Sequence, residues 1–511
     1  MNKTIATTLS TVFLGAVIFT AGIFPSCGGK SKPITRAEKG AEKGFGVIGI
    51  GNKDNAKDAS SLGAKYDRPE VFWKQLQPNG PEGLNTQDLD TAYDLLQQKG
   101  IEPIISLRTK TLSWATSCDI VAIPCPSYYT QCPHEYASCP PKDLNASGWG
   151  EHGYSESYYH LFEKTLNHLH ETSRPIHYIV IENEINTLTF WHGTQEQYLQ
   201  LRATAFKAVK DIRAATGFDV RIVDNGLAND IWGIAYTVEL FCFGGGAKEE
   251  REQNAADFAT RFAGRMRSAY TVEELAEKIG DCSNLTATKT GQDYLLAREM
   301  FTIDPHLGES SFDFMSYHFY YTWDTQKEII DYIKSEMARN GYSKPIIHSE
   351  GGYMDALRFY TDSNPDVVKA LKQDVADELI KNHVIAFTSG VVIWTWHPLH
   401  EANEGSLGSE YKGLTLSDGS HLPAYKSYQT MIEKLGNFST AETIDFPGIH
   451  AYRFMVNNSP VYILWSLSAT TIDFSAFIPG DVRVTRTDGS AKNVPGQAIP
   501  LSESPIFLEP S

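Results

Sequence analysis

The chain has 511 residues, 41% of them hydrophobic, with 62 acidic residues against 45 Lys and Arg and a net charge of −17. A chain of this length buries a large core. An acidic balance without a basic cluster excludes nucleic acid and anionic lipid surfaces as ordinary partners.

Residues 1–27 read as an export signal. Lys3 gives a positive start, residues 12–24 are apolar but too short to span a bilayer, and Phe24-Pro-Ser-Cys27 resembles a bacterial lipoprotein processing site. Cleavage there would leave Cys27 as a lipidated first residue and residues 28–40 as a polar tether, so the expected location is the cell envelope or the outside. Removing Cys27 from the seven cysteines leaves six. Cys118, Cys125, Cys132 and Cys139 recur every seventh residue in a segment rich in Pro and Tyr, which reads as a loop stapled by two disulfides. Cys242 and Cys282 are candidates for a third bridge. The connectivity is not written in the spacing. A four-cysteine zinc site is the competing reading, but the paired Cys-x-x-Cys spacing is absent.

From residue 41 strands and helices alternate. Strands are expected at 44–50, 64–73, 103–107, 176–181, 220–224, 312–318, 345–349 and 391–396. Helices are expected at 88–99, 155–172, 195–215, 325–339, 366–382 and 424–435, and two more lie within a long insertion at 230–305. Eight strands alternating with helices predict an α/β fold of parallel βα units, and the count of eight predicts a closed (β/α)8 TIM barrel over residues 41–437. An open doubly wound sheet is the alternative, and Gly49-Ile-Gly51-Asn-Lys lacks the third glycine its phosphate loop would need. Residues 438–511 carry short strand patterns at 452–456, 461–467, 472–477, 482–487 and 506–508, with turn residues such as Asp488-Gly489 between them. They read as a small all-β domain, drawn as a β-sandwich, that either supports the barrel or binds sugar weakly.

The chemistry gathers at strand ends. His177-Tyr-Ile-Val-Ile-Glu-Asn-Glu184 and Pro345-Ile-Ile-His-Ser-Glu350 are apolar runs that stop at a glutamate. The C-terminal ends of barrel strands are where such folds carry their chemistry. Two carboxyl groups facing each other there suit glycosidic cleavage, one as acid and base, the other as nucleophile. His318 and Tyr320 share a strand face by parity. Arg68 within a strand requires a partner, most simply a carboxylate. Asn183 is placed to hold a sugar hydroxyl. Trp394 and Trp396 end the eighth strand, as core or as a sugar floor, while Asp224 and Asn225 are weaker candidates for ligand contact.

Taken together, Asn183-Glu184-Ile185-Asn186, the following Phe190-Trp191 and the helix with Tyr198 resemble the Asn-Glu-Pro-Asn block of clan A retaining glycoside hydrolases. The likeness is greatest to the branch with β-xylosidases and α-iduronidases. Residues 312–320 resemble the sixth-strand segment of that clan, Glu350 its seventh-strand nucleophile, and Arg68 and Trp394 positions often occupied in it. The resemblance implies a double displacement with Glu350 as nucleophile and Glu184 as acid and base. It implies that His318 and Tyr320 order the nucleophile, that Trp394 stacks on the sugar, and that Asn183, Asn186 and Arg68 contact substrate. The expected partner is a carbohydrate, with no metal or organic cofactor. Ile185 replaces the family proline, Gly351 stands where an aromatic residue is frequent, and Arg108 ends a strand where many relatives carry His. Two other readings compete: a surface glycan-binding protein on a glycosidase scaffold, and a metal-dependent barrel hydrolase. The metal reading has one His-x-His, His168-Leu-His170, and that falls inside a predicted helix.

Overall fold

The computed structural model of the chain describes residues 43–118, 137–144, 154–228, 230–264, 269–353, 364–401 and 412–511. The export signal, the tether, Cys125 and Cys132 lie outside them.

The barrel strands are β1 (Gly44–Val47), β2 (Tyr66–Asp67), β3 (Glu70–Phe72), β4 (Glu102–Arg108), β5 (Tyr178–Ile181), β6 (Arg221–Val223), β7 (Met315–Phe319), β8 (Ile346–Gly351) and β9 (Val391–Trp396). They pair in parallel in the order β6-β5-β4-β2-β1-β9-β8-β7, and a parallel bridge between Val223 and Phe314 joins the two ends. The single strand expected over residues 64–73 is broken. β2 pairs with both β1 and β4, whereas β3 pairs with β4 alone. The break falls at Arg68-Pro69, where proline has no N–H to give to a ladder. That departure from β1 opens the barrel mouth beside Arg68.

Helices α1 (Lys53–Leu62), α2 (Trp73–Leu76), α3 (Gln87–Gln97), α4 (Glu156–Glu171) and α5 (Gln195–Thr216) follow the first strands. The α4 boundaries are set by its cap, since the Ser155 hydroxyl accepts from the Tyr158 N–H. Where two helices were expected at 230–305, the described residues hold four: α6 (Asp230–Val238), α7 (Lys248–Ala263), α8 (Val272–Ile279) and α9 (Lys289–Glu299). Gly264 and Gly280, with φ of 63° and 74°, end α7 and α8, and Thr271 and Thr288 cap the starts of α8 and α9. These stop and start signals divide what periodicity alone merges. The remaining barrel helices are α10 (Trp323–Arg339), α11 (Pro365–Thr388) and α12 (Pro423–Leu435).

Inside the barrel, Tyr66, Ile104, Tyr178, Val180, Val223, Phe314, Ile347, Val392 and Ile393 form a dry floor. Between strands and helices runs the main core. Among the described residues two disulfides fasten the loops: Cys118 to Cys139, with Cα atoms 5.7 Å apart, and Cys242 to Cys282, at 5.5 Å.

After α12 come β10 (Phe438–Ile444), β11 (His450–Val456), β12 (Ser459–Trp465), β13 (Thr470–Ile472), β14 (Asp481–Arg486), β15 (Ala491–Pro495), β16 (Ile499–Leu501) and β17 (Ile506–Pro510). Six of them make one antiparallel sheet, β10-β11-β12-β17-β14-β15, and β13 pairs with β16. The polar strands β10 and β15 escape the sequence reading because they lack an apolar run. Alternation sorts the sheet's two faces. Tyr452, Phe454, Val461, Ile463, Trp465 and Phe507 join the barrel core, while Tyr462, Leu464, Val482, Val484 and Leu508 face a second, local core. Trp465 packs edge-on against Trp323, ring centroids 5.3 Å apart, and stacks on His450.

Candidate active site

Glu184 stands just past β5, on a chain bent by two unusual conformations. Glu182 and Glu184 both have positive φ, 64° and 40°. For non-glycine residues this costs on the order of 1–3 kcal/mol each and persists only where surroundings impose it. The surroundings are visible. The buried Glu182 carboxylate accepts from the Thr109 N–H at 2.7 Å, and the Glu184 N–H donates to the Gly226 carbonyl at 3.2 Å. Burial pushes the Glu182 carboxyl up, against the attraction of Arg108. The bend turns Asn183 and Glu184 into the cleft.

Glu350 stands at the end of β8, where the ladder with β9 slips between His348 and Gly351. Such an irregularity re-aims a side chain. Gly351 is required there, because a Cβ would lie 2.0 Å from His348 Cε1 and 2.3 Å from the Phe319 carbonyl oxygen. The Glu350 carboxylate forms an ion pair with Arg68 and accepts from the Tyr320 hydroxyl at 2.8 Å. Arg68 donates its second guanidinium nitrogen to Asn183 Oδ1 at 3.0 Å. Burial opposes ionisation of Glu350, but the Arg68 guanidinium above all, with the Tyr320 hydrogen bond, outweighs it. The carboxyl is held well below the usual range.

The two carboxylates face each other across the mouth. One oxygen of Glu184 and one of Glu350 lie within 4.8 Å, and each side chain is 13% exposed. They share a cleft of about 760 Å³ lined also by Asp67, Arg68, Asn183, Phe190, Tyr320 and His397.

Three expected roles are corrected by position. His318 does not order Glu350: its Nδ1 lies 2.8 Å from Glu184 Oε1 and its Nε2 3.2 Å from Ser349 Oγ. Parity was right for the strand face, but successive inward positions of a tilted barrel strand reach different neighbours. Trp394 offers no face to a sugar. It is fully buried, stacked on His348 at 3.9 Å and against His383 at 4.0 Å, because position 394 lies below the barrel rim. Asn186 is not part of the cleft lining, and its Oδ1 accepts from the Ala228 N–H at 2.8 Å to tie two loops together. The weaker candidate Asp224 is spent in a buried ion pair with Arg202 at 2.7 Å, and Asn225 takes the Ile185 N–H at 3.5 Å.

His397 and Asp67, also in the cleft lining, escaped the sequence reading. His397 follows β9, and its Nδ1 lies 3.0 Å from the Tyr320 hydroxyl. Its signal was a histidine immediately after the strand-ending Trp396. Asp67 is buried beside Arg68 and accepts from the Gly49 N–H at 3.3 Å. Burial raises its carboxyl to about 7, against hydrogen bonds from the Arg68, Gly49 and Ile50 backbone and the Arg68 charge. Arg108 pairs with Glu70 at 2.9 Å and lies 4.9 Å from the centre of the Phe190 ring.

Among the described residues Glu184, His318 and Glu350 are the one group of metal-ligating side chains whose donor atoms come so close together. A cation among them would face the Arg68 guanidinium already paired with Glu350. His168, in α4, lies 2.9 Å from Asp90 Oδ1.

No protein-family model and no curated protein matches the chain. Solved structures do. A family 39 glycoside hydrolase from the gut symbiont Bacteroides cellulosilyticus WH2 superposes with a TM-score of 0.55 at 13% identity, covering 92% of this chain and 81% of its own. A glucosidase from Croceicoccus marinus matches at 0.53 and 12% identity, covering 94% and 97%. A conserved exported protein from Bacteroides fragilis gives 0.53 at 11%, covering 92% and 97%. The chain shares the barrel fold, with its following β region, of these solved structures. At such low identity the likeness is one of fold, reaching across the barrel and the following β region.

Proposed function

We propose that the chain is a retaining glycoside hydrolase that cleaves an O-glycosidic bond of an extracellular oligo- or polysaccharide. The observation that carries this reading is the carboxylate pair with oxygens within 4.8 Å, one of them ion-paired with Arg68. Retaining enzymes need their carboxyls about 5–5.5 Å apart, whereas inverting ones leave about 6.5–9.5 Å for a water. Glu350, ionised by Arg68 and oriented by Tyr320, attacks the anomeric carbon. Glu184 gives its proton to the departing glycosidic oxygen, and the covalent glycosyl-enzyme forms. Glu184, now a carboxylate, takes a proton from water, whose oxygen displaces Glu350 and releases the sugar with its configuration retained. Asn183, braced by Arg68, holds the hydroxyl beside the reacting carbon.

In this reading residues 1–27 direct export, with Cys27 as the lipid-bearing residue, and residues 28–40 tether a catalytic barrel (41–437) and its β domain (438–511). The disulfides Cys118–Cys139 and Cys242–Cys282 support an oxidising, extracytoplasmic setting.

The test combines a panel of glycans and aryl glycosides with NMR of the first-formed anomer. Wild type is expected to release product of retained configuration. Glu350→Ala and Glu184→Ala are expected to lose at least about 10²-fold in kcat, with azide restoring turnover in part. An inverted product, or an unimpaired Glu350→Ala, refutes the assignment. Glycan binding without turnover on any substrate favours the non-catalytic reading.

A further inference from the structure

Strand β7 hangs three polar side chains on its inward face at alternate positions: Ser316 deepest, His318 in the middle and Tyr320 just beyond the strand end. Tyr320 serves Glu350 and His318 serves Glu184. Ser316 serves neither. Its hydroxyl lies 2.5 Å from Ser349 Oγ, which in turn lies 3.2 Å from His318 Nε2. Ser316, His318 and Ser349 are all fully buried.

This chain of groups has a direction. A neutral imidazole donates from one nitrogen and accepts at the other, while a hydroxyl does both. Suppose Nε2 carried the hydrogen. It would donate to Ser349, Ser349 would donate to Ser316, and the Ser316 hydrogen would have no acceptor, because Ser316 has no second side-chain partner among the described residues. In the opposite direction Ser316 donates to Ser349, Ser349 donates to Nε2, and Nδ1–H donates to Glu184. Every hydrogen then has an acceptor, as buried polar groups require.

We propose that Ser349, itself oriented by Ser316, is a positioning residue that fixes His318 in its Nδ1–H form and so makes it a constant donor to Glu184 Oε1. The inference rests on the reading of Glu184 as acid and base. A hydrogen bond donated to one carboxyl oxygen turns the other oxygen toward the glycosidic bond. As a constant donor it also steadies the charge that Glu184 carries in the second displacement. The donation from Ser349 into Nε2 strengthens the donation from Nδ1, as linked hydrogen bonds do. Other titratable or charged groups near this pair include Glu350 across the cleft, with Arg68, Tyr320 and His397 around it, and His348 on β8, which burial keeps uncharged.

The test uses the full chain and two readouts. Nitrogen-15 NMR of the histidine rings, with His318 assigned by its loss in His318→Gln, is expected to find the hydrogen on Nδ1. In Ser349→Ala the alkaline limb of kcat/KM is expected to move up by about half to one pH unit, and Ser349→Thr, which keeps the hydroxyl, is expected to restore it. Ser316→Ala is expected to give a smaller shift of the same sign. A hydrogen on Nε2 in the wild type, or an unmoved limb in folded Ser349→Ala, overturns the proposal. If instead Glu184→Ala keeps the wild-type rate and pH profile, the acid/base reading fails, and the ring spectrum still decides the tautomer by itself.

Discussion

Replacing Arg68 by Met removes the guanidinium that pairs with Glu350 and holds Asn183, in a site where Arg68 is 4% and Glu350 13% exposed. Breaking one side of a buried pair costs about 3–5 kcal/mol, most of it from the charge left behind. At about 1.36 kcal/mol per pH unit this corresponds to a rise of roughly two to four units in the Glu350 carboxyl. The sign follows from linkage. In the wild type Glu350 is held below its unfolded value of about 4.3, so its contribution is fully present above that pH and is lost as pH falls further. In the variant most of that depression is undone. The loss of stability relative to wild type is therefore present in full near about pH 7.5 and shrinks only as pH falls below the variant's own value, toward about pH 3. Urea denaturation of both proteins at these two pH values measures it. The acid limb of kcat/KM moves up in the same variant, because a protonated Glu350 cannot attack. A difference below about 1 kcal/mol, or one that is equal at both pH values, would show that the pair lacks the electrostatic role assigned to it.

Gly226 has φ of 68°, and a Cβ there would lie 2.3 Å from His318 Nε2. Gly226→Ala is expected to displace the imidazole and lower kcat on an aryl glycoside by roughly tenfold or more, and an unchanged kcat would contradict the packing described. Burial lowers His383 to about 3, against a hydrogen bond to the Leu379 carbonyl. The unfolded chain therefore takes up a proton below about 6.5 that the folded chain refuses, and stability falls between those values. Thermal melts of His383→Phe across that range should show a flatter acid dependence than wild type. Trp394→Phe is expected to cost about 1–3 kcal/mol of stability and to leave KM within about twofold; a large rise in KM would return Trp394 to the substrate site.

The barrel was legible because its signals are local. Apolar runs such as 391–396, punctuated by glycine, proline and capping residues, place strands and helices without knowledge of their neighbours. The glutamates were legible because each ends such a run. Parity put His318 and Tyr320 on one face, but it does not encode which carboxylate each one meets, since that depends on strand tilt and on the ladder slip beside Glu350. Trp394 misled because an aromatic residue near a strand end reads alike whether it lies above or below the rim. Asn186 misled because an amide that ties two loops and one that binds a hydroxyl look identical in sequence. Asp67 and His397 carried charge and position but no spacing that set them apart.

The seam between the barrel and the C-terminal sheet has a mechanical consequence. Trp323 begins α10, three residues after Tyr320, and it is gripped from outside by Trp465 and His450. Its N–H also donates to Glu378 on α11. The sheet thus acts as a vise on the turn that carries the phenol of Tyr320. A chain cut after α12 would expose Trp323 and the apolar face now covered by Tyr452, Phe454 and Trp465, and the loosened turn would let the phenol drift from Glu350. Damage more than a hundred residues further along the chain would then register first as a poorly oriented nucleophile.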